Sequence, residues 1–256
     1  MNNSLKSKLK SGILTIGSWI TLGHPAIAEI LAANGYDWLV IDLEHTTISI
    51  KEAGELIRII DLCGVAPLVR LTSNNPDQIK RLMDAGAEGI IVPNINSAQE
   101  AAKAVQAVYY APNGNRGVGL ARAQGYGKNF KSYLEWQKEN SIVIVQIEHR
   151  DALNNLESIF STPGVDGFII GPYDLSCSLG IPGEFERAEF KQAINFILNT
   201  AIKMKIISGL HIVEPNTDLL KKAIKDGYGL IAYSVDIRML DCISANISNL
   251  KKDLNN

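Results

Sequence analysis

Eight short apolar runs, rich in β-branched residues, alternate along this chain with segments of helical periodicity, and that alternation admits few folds. The runs are Ile13–Ile20, Trp38–Glu44, Ala66–Leu71, Gly89–Pro93, Ile142–Glu148, Val165–Pro172, Ser208–Val213 and Gly229–Val235. The spacing between and after them predicts helices over Pro25–Ala33, Ile50–Leu62, Asn75–Asp84, Ala98–Val108, Phe130–Lys138, Asp151–Phe160, Glu186–Met204, Pro215–Lys225 and Met239–Leu250. Eight units in 256 residues leave 32 residues each, the size of a βα repeat. The expectation is one α/β domain over 1–256, a (β/α)8 TIM barrel. A doubly wound open sheet is the alternative, but no GxGxxG follows the first run. Residues 109–129 are rich in Gly, Pro, Asn and Arg without periodicity, which predicts a long loop over the C-terminal face.

Composition narrows the function. The net charge is −2, with no basic cluster beyond Lys6, Lys8 and Lys10, so nucleic acid and acidic membrane surfaces are not expected partners. Cys63, Cys177 and Cys242 are far apart and form no CxxC pair. That fits a reducing, cytoplasmic compartment and argues against a zinc–thiolate site. Lysines followed by Gly12–Leu22 imitate a signal peptide loosely, but Thr15, Gly17, Ser18 and Thr21 interrupt the apolar part. No run reaches the ~18 apolar residues of a membrane span.

The chemistry gathers at strand ends, where a barrel of this kind carries its catalytic groups. Ile142–Glu148 and Val165–Pro172 flank one short helix, a βαβ unit with parallel strands. Glu148 ends the first run and Asp174 follows the second, so the two acids should meet at one rim. Oxygen ligands there suit a hard divalent cation such as Mg²⁺ or Mn²⁺. Each alone fits a structural role as well, Glu148 as a helix cap and Asp174 as a turn residue.

Alternation places Val40, Asp42 and Glu44 on one face of the second strand, with His45 just beyond it. Arg70 closes the third strand and can pair with Asp42 structurally or grip a carboxylate substrate bidentately. His45 is a candidate proton carrier because imidazole titrates near neutrality. Gln146 shares a face with Glu148, and Gly171-Pro172 offers bare backbone to a bound acid. None of the eight runs contains a lysine, so a Schiff-base mechanism lacks its nucleophile. An enolate stabilised here calls for a metal Lewis acid. His211 reads as a core residue, His24 as a loop residue and His149 as at most an outer neighbour of the site.

Taken together, Asp42-Leu43-Glu44-His45, Pro67-Leu68-Val69-Arg70, Val145-Gln146-Ile147-Glu148 and Gly167 to Ser176 resemble the HpcH/HpaI family of class II pyruvate aldolases. The likeness runs from about Gly17 to Leu240. It implies a phosphoenolpyruvate/pyruvate-type barrel and a divalent metal held by Glu148 and Asp174, with Mg²⁺ or Mn²⁺ foremost and Co²⁺ a further option. It also implies Arg70 on the pyruvate oxygens, His45 in proton transfer aided by Asp84, and Asp42 orienting Arg70 or His45. Gln146, Gly171, Pro172 and Tyr173 would line the substrate. The reaction implied is reversible cleavage of a 4-hydroxy-2-oxo acid into pyruvate and an aldehyde, by a homo-oligomer, hexamer or trimer, whose last helix packs on a neighbour. The loop Asn115–Gly127, His149 and Tyr233-Ser234 depart from the pattern of the dicarboxylate-cleaving members and leave the aldehyde open. Rival expectations are another metal–enolate C–C lyase, a 2-oxo acid decarboxylase, or a non-catalytic barrel that binds a small acid.

Overall fold

The computed structural model describes residues 4–254. Helix α1 (Leu5–Lys10) precedes β1 (Thr15–Ile20), α2 (Pro25–Ala32), β2 (Trp38–Asp42), α3 (Ile50–Leu62), β3 (Ala66–Arg70), α4 (Pro76–Ala85), β4 (Gly89–Val92) and α5 (Ala98–Val108). After the long loop come α6 (Phe130–Asn140), β5 (Ile142–Ile147), the short helices α7 (Arg150–Leu153) and α8 (Leu156–Phe160), β6 (Gly167–Ile170) and α9 (Pro172–Ser178). The chain continues through α10 (Ala188–Met204), β7 (Ile207–Ile212), α11 (Thr217–Lys225), β8 (Leu230–Val235) and α12 (Asp236–Leu254). The strands pair in chain order and β8 pairs with β1, all in parallel, which closes the barrel. This is the expected (β/α)8 architecture.

Local chemistry sets the helix boundaries. Ser49 caps α3 in a reciprocal box with Glu52, Asn75 caps α4 ahead of Pro76 and Ser97 caps α5. Each side chain meets N–H groups that have no partner within the helix. Gly86 stops α4 at φ 104°, a conformation that favours glycine. Two apolar layers follow from strand alternation. Val40, Leu68, Ile91, Ile144, Ile169 and Ala232 fill one buried cluster, and Ile41, Val69, Ile90, Val145 and Phe168 join the helices in another.

Three elements differ from the sequence-based expectation. Helix α1 is absent from the helices that the sequence spacing predicts, since six residues are too few to show a helical period. Its Leu5 and Leu9 join the cluster of Val40 and Leu68. Lys6 is 4% exposed, and its Nζ donates to Ser141 O at 2.6 Å and pairs with Asp166 at 2.9 Å. The helix expected over Asp151–Phe160 is broken in two at Asn154-Asn155. Asp174, expected just past the sixth strand, lies in the first turn of a short helix, α9, behind Pro172.

The long loop requires a correction. It leaves the C-terminal end of α5 and, with α6, leads to the start of β5. A βα unit climbs to the C-terminal rim along its strand and returns along its helix, so this link starts and ends at the N-terminal rim. Arg122 in the loop donates to Ala85 O at 3.2 Å and to Asp61 at 2.5 Å, and both residues sit at the lower ends of their helices. The loop packs beside α4 and does not roof the mouth.

Candidate active site

Strand β2 delivers Asp42 to the rim, 2% exposed, directly opposite Arg70 in the β2–β3 register. Arg70 Nε and Nη2 donate to the two carboxylate oxygens at 2.9 and 2.7 Å. Asp42 Oδ1 also accepts the backbone N–H groups of Glu44 at 3.0 Å and His45 at 3.4 Å. The aspartate thus fixes both the arginine fork and the turn that carries His45. The guanidinium lies 4.4 Å from the Trp19 ring centroid, a cation–π contact that further limits its movement.

Glu44 approaches Arg70 Nη1 at 3.2 Å, yet its buried Oε2 has no hydrogen-bond partner. Burial pushes its carboxyl up to about 7; Arg70 opposes this, while Glu148, Asp42 and Asp174 add to it. His45 is largely exposed at the mouth, its Nε2 3.8 Å from Glu44 Oε2.

Glu148 is held on the next rim segment. The N–H of Asn94, in the left-handed region at φ 53°, donates to Oε1 at 2.6 Å. Gln146 Nε2 donates to Oε2. Burial raises the Glu148 pKa, and Asp174 adds to the rise. Gly171 is required beside it, since a Cβ there would lie 2.5 Å from Glu148 Oε2 and 2.9 Å from Glu148 Cβ.

A cavity of about 220 Å³ joins Arg70, Asp174, His45, Gln146 and Gly171–Tyr173 to Trp19 and His211. That is below the ~300–1,000 Å³ of drug-sized ligand pockets and suits a small acid. Larger hollows exist, but the one of about 480 Å³ beside Arg122 and Trp136 lies by the N-terminal rim, away from these groups. Four acids, Asp42, Glu44, Glu148 and Asp174, therefore influence one another around a single arginine. Among the described residues no group of three or more His, Cys, Asp or Glu side chains is arranged as a metal cage. Two carboxylates with an uncompensated negative field suit an ion that keeps water or substrate oxygens as its other ligands, as Mg²⁺ does. The donor set fits such a cation.

Asp42 and Glu148 lie behind the cavity wall, bonded to its lining residues Arg70 and Gln146, whereas Asp84 is an expected site residue that the fold places elsewhere. It precedes Ala85 at the lower end of α4, near the start of β4, and its environment is Arg116 and Tyr110. Sequence reasoning in turn missed three participants. His211, read as core, lines the cavity. Trp19 lies under Arg70, and Asn94 contributes its backbone N–H. Alternation along β1 and β7 carries the first two; nothing local signals the third.

The family model for HpcH/HpaI aldolase/citrate lyase matches residues 15–241. A protein of Sagittula stellata named hydroxypyruvate/pyruvate aldolase is 37% identical over 239 residues, 93% of each chain. A 4-hydroxy-2-oxo-heptane-1,7-dioate aldolase of Shigella sonnei is 38% identical over 242 residues, covering 94% of this chain and 91% of the other. The crystal structure of an HpcH/HpaI aldolase/citrate lyase family protein from Burkholderia cenocepacia J2315 superposes with a TM-score of 0.89. It shows 32% identity and coverage of 98% of this chain and 99% of that one.

Proposed function

The chain belongs to the HpcH/HpaI aldolase/citrate lyase family, and from that premise we propose that it is a divalent-metal-dependent pyruvate aldolase. It is a carbon–carbon lyase that cleaves a 4-hydroxy-2-oxo acid into pyruvate and an aldehyde, and runs the addition in reverse. The observation that carries this reading is that Asp174 and Arg70 line one small cavity and both act on the charge of buried Glu148, which accepts from Gln146 of the same cavity.

Glu148 and Asp174 would hold Mg²⁺ or Mn²⁺, with Co²⁺ a further option. When bound, the ion supplies Lewis-acid stabilisation of negative charge on the 2-oxo group, worth several kcal/mol. Arg70 has five N–H donors and spends two on Asp42; Nη1 also faces Glu44, and the donors left over serve the substrate oxygens. Gln146 and the Gly171-Pro172 backbone bound the acid, with Tyr173 at the entrance. In the cleavage direction the C4 hydroxyl proton passes to a base at the mouth and the C3–C4 bond breaks. Its electron pair becomes the enolate of pyruvate, and a proton then returns to C3. His45 is placed to move these protons. None of the eight strands carries a lysine, so covalent capture of the carbonyl has no amine there.

Asp84 takes part in proton transfer only if it belongs to a second copy of the chain, because in its own chain it lies at the far rim. That agrees with a homo-oligomer, hexamer or trimer. Exposed Ile237, Leu240, Ile243 and Ile247 form an apolar stripe on α12 at helical spacing, which suits packing on a neighbour. The substrates are small molecules, and no described helix is long and apolar enough to cross a membrane.

The direct test is exchange of the pyruvate methyl protons in D₂O with Mg²⁺ or Mn²⁺ added, followed by NMR. Exchange abolished by EDTA and by Glu148→Ala is expected. Tight pyruvate binding without exchange would instead mark a non-catalytic binder.

A further inference from the structure

Arg116, in the loop after α5, is 4% exposed, yet its hydrogen-bonding capacity is largely unmet. Among the described residues its only side-chain hydrogen bond runs from Nη2 to the Tyr133 hydroxyl at 2.9 Å, while Nε and Nη1 have no partner. The guanidinium lies against aromatic faces, 4.1 Å from the Tyr110 centroid and 5.5 Å from that of Tyr133. It stays charged throughout the range in which proteins fold, and a buried charge without an opposite one is costly. Local structure nevertheless fixes it there. Its backbone N–H donates to Tyr109 O at 3.0 Å, and a Cβ on Gly114, just before it, would collide with Gln106 O and Tyr109 O.

Asp84 is the acid that answers this cation. Its carboxyl is partly buried at the end of α4, and burial raises its pKa, while Arg116, then the Tyr110 hydroxyl and Lys80, favour the ionised form. Tyr110 accepts from Gln124 Nε2 at 2.5 Å, so it keeps its own hydrogen for the acid. The two charges do not join fork to fork as Arg70 and Asp42 do. Asp84 Oδ1 is buried with no hydrogen-bond partner, like the two Arg116 nitrogens. The cation acts on the acid through space and leaves a carboxylate oxygen available to an outside donor.

We propose that Arg116 is the positioning residue of Asp84: it steadies the carboxylate without occupying it, so that Oδ1 can accept from a second copy of the chain, at whose mouth His45 lies. This rests on the aldolase reading above and on Asp84 serving that second copy, and it adds the group that holds the acid ready. When the second copy covers Asp84, deeper burial disfavours the ionised carboxyl further, and the buried cation opposes that change. Arg116 touches no substrate and moves no proton.

The test uses mixed oligomers and the metal-dependent exchange of pyruvate methyl protons in D₂O. His45→Ala and Asp84→Ala chains are unfolded together and refolded as a mixture, and the gain in exchange over either chain alone is measured per amount of soluble refolded protein. Arg116→Met on the His45→Ala chain, which supplies Asp84, should lower that gain about tenfold, part of the factor that a positioned proton carrier contributes. The same change on the Asp84→Ala chain has no acid beside it and should leave the gain within about twofold. A role in folding alone would lower both mixtures alike. Arg116→Gln is the second neutral variant if Arg116→Met does not refold. Arg116→Lys, which keeps a cation among the tyrosines, should retain about half of the gain or more from the His45→Ala chain. Equal gains from the two placements of the neutral variant, or a loss with Arg116→Lys as large as with the neutral variant, overturn the proposal. No gain in the parent mixture would remove Asp84 from the chemistry, and Arg116 with it. No exchange by the wild-type protein would overturn the aldolase reading itself.

Discussion

Arg70 meets Asp42 fork to fork, Nε on one carboxylate oxygen at 2.9 Å and Nη2 on the other at 2.7 Å, across directly paired residues of β2 and β3. The aspartate is almost wholly buried, so the pair aims the arginine and at the same time depends on it.

Removing one partner should therefore strand the other, so the losses of the two single variants should not add. Arg70→Ala leaves Asp42 as an uncompensated buried charge, and urea unfolding should show a loss of roughly 3 kcal/mol. The double variant Asp42→Ala/Arg70→Ala should recover at least about 1 kcal/mol relative to the sum of the single variants. Strict additivity would show the pair to be energetically idle.

Gly171→Ala acts on the neighbouring acid. The new Cβ would press on Glu148 Oε2 and on Glu148 Cβ, and the latter cannot swing away without moving β5. Since φ of Gly171 is −94°, the effect is steric and not conformational. Calorimetric titration with Mn²⁺ should show an affinity about 10–100-fold weaker, the usual cost of disturbing groups that orient a ligand. An unchanged affinity would separate Glu148 from the ion.

Complementation tests the assembly. His45→Ala and Asp84→Ala should each be nearly inactive alone. Unfolded together and refolded as a mixture, they should regain part of the wild-type exchange rate, because some interfaces then pair an intact His45 with an intact Asp84. No gain would place Asp84 outside the chemistry.

Glu88, at the foot of β4, links stability to pH. Burial pushes its carboxyl up to about 7, Asp61 adds to the rise, and a hydrogen bond with the Leu5 backbone opposes it. In the unfolded chain the group titrates near the ordinary glutamate value of 4.5, so between these values the folded state binds more protons. Stability should then fall as pH rises from 4.5 to about 7, with a ceiling of roughly 3 kcal/mol from this group. Glu88→Gln should flatten that part of the profile in denaturant titrations at successive pH values; an equal slope would assign the dependence elsewhere.

Much of the candidate site is legible in the sequence because its grammar is local. Alternation with period two put Asp42 and Glu44 on one face, and strand polarity put Glu148 and Asp174 at one rim. A closing arginine on the next strand completed the reading. Where the reading missed, a distant partner decided the outcome. His211 looked like core until the curvature of the barrel turned it towards Trp19. Asn94 contributes a main-chain N–H, which no side-chain pattern encodes. Lys6 is buried because Asp166 and Ser141, far along the chain, supply its partners.

The sequence by itself determined the eightfold repeat, the closed parallel barrel and the acids at its strand ends, because hydrophobic period and chain direction are properties of neighbouring residues. Only the tertiary structure decided on which rim the long loop lies, that Asp84 stands away from His45 within one chain, and that Trp19 and His211 share a cavity. Those relations depend on how eight tilted strands close on one another, and that closure is a long-range packing result which no single segment carries.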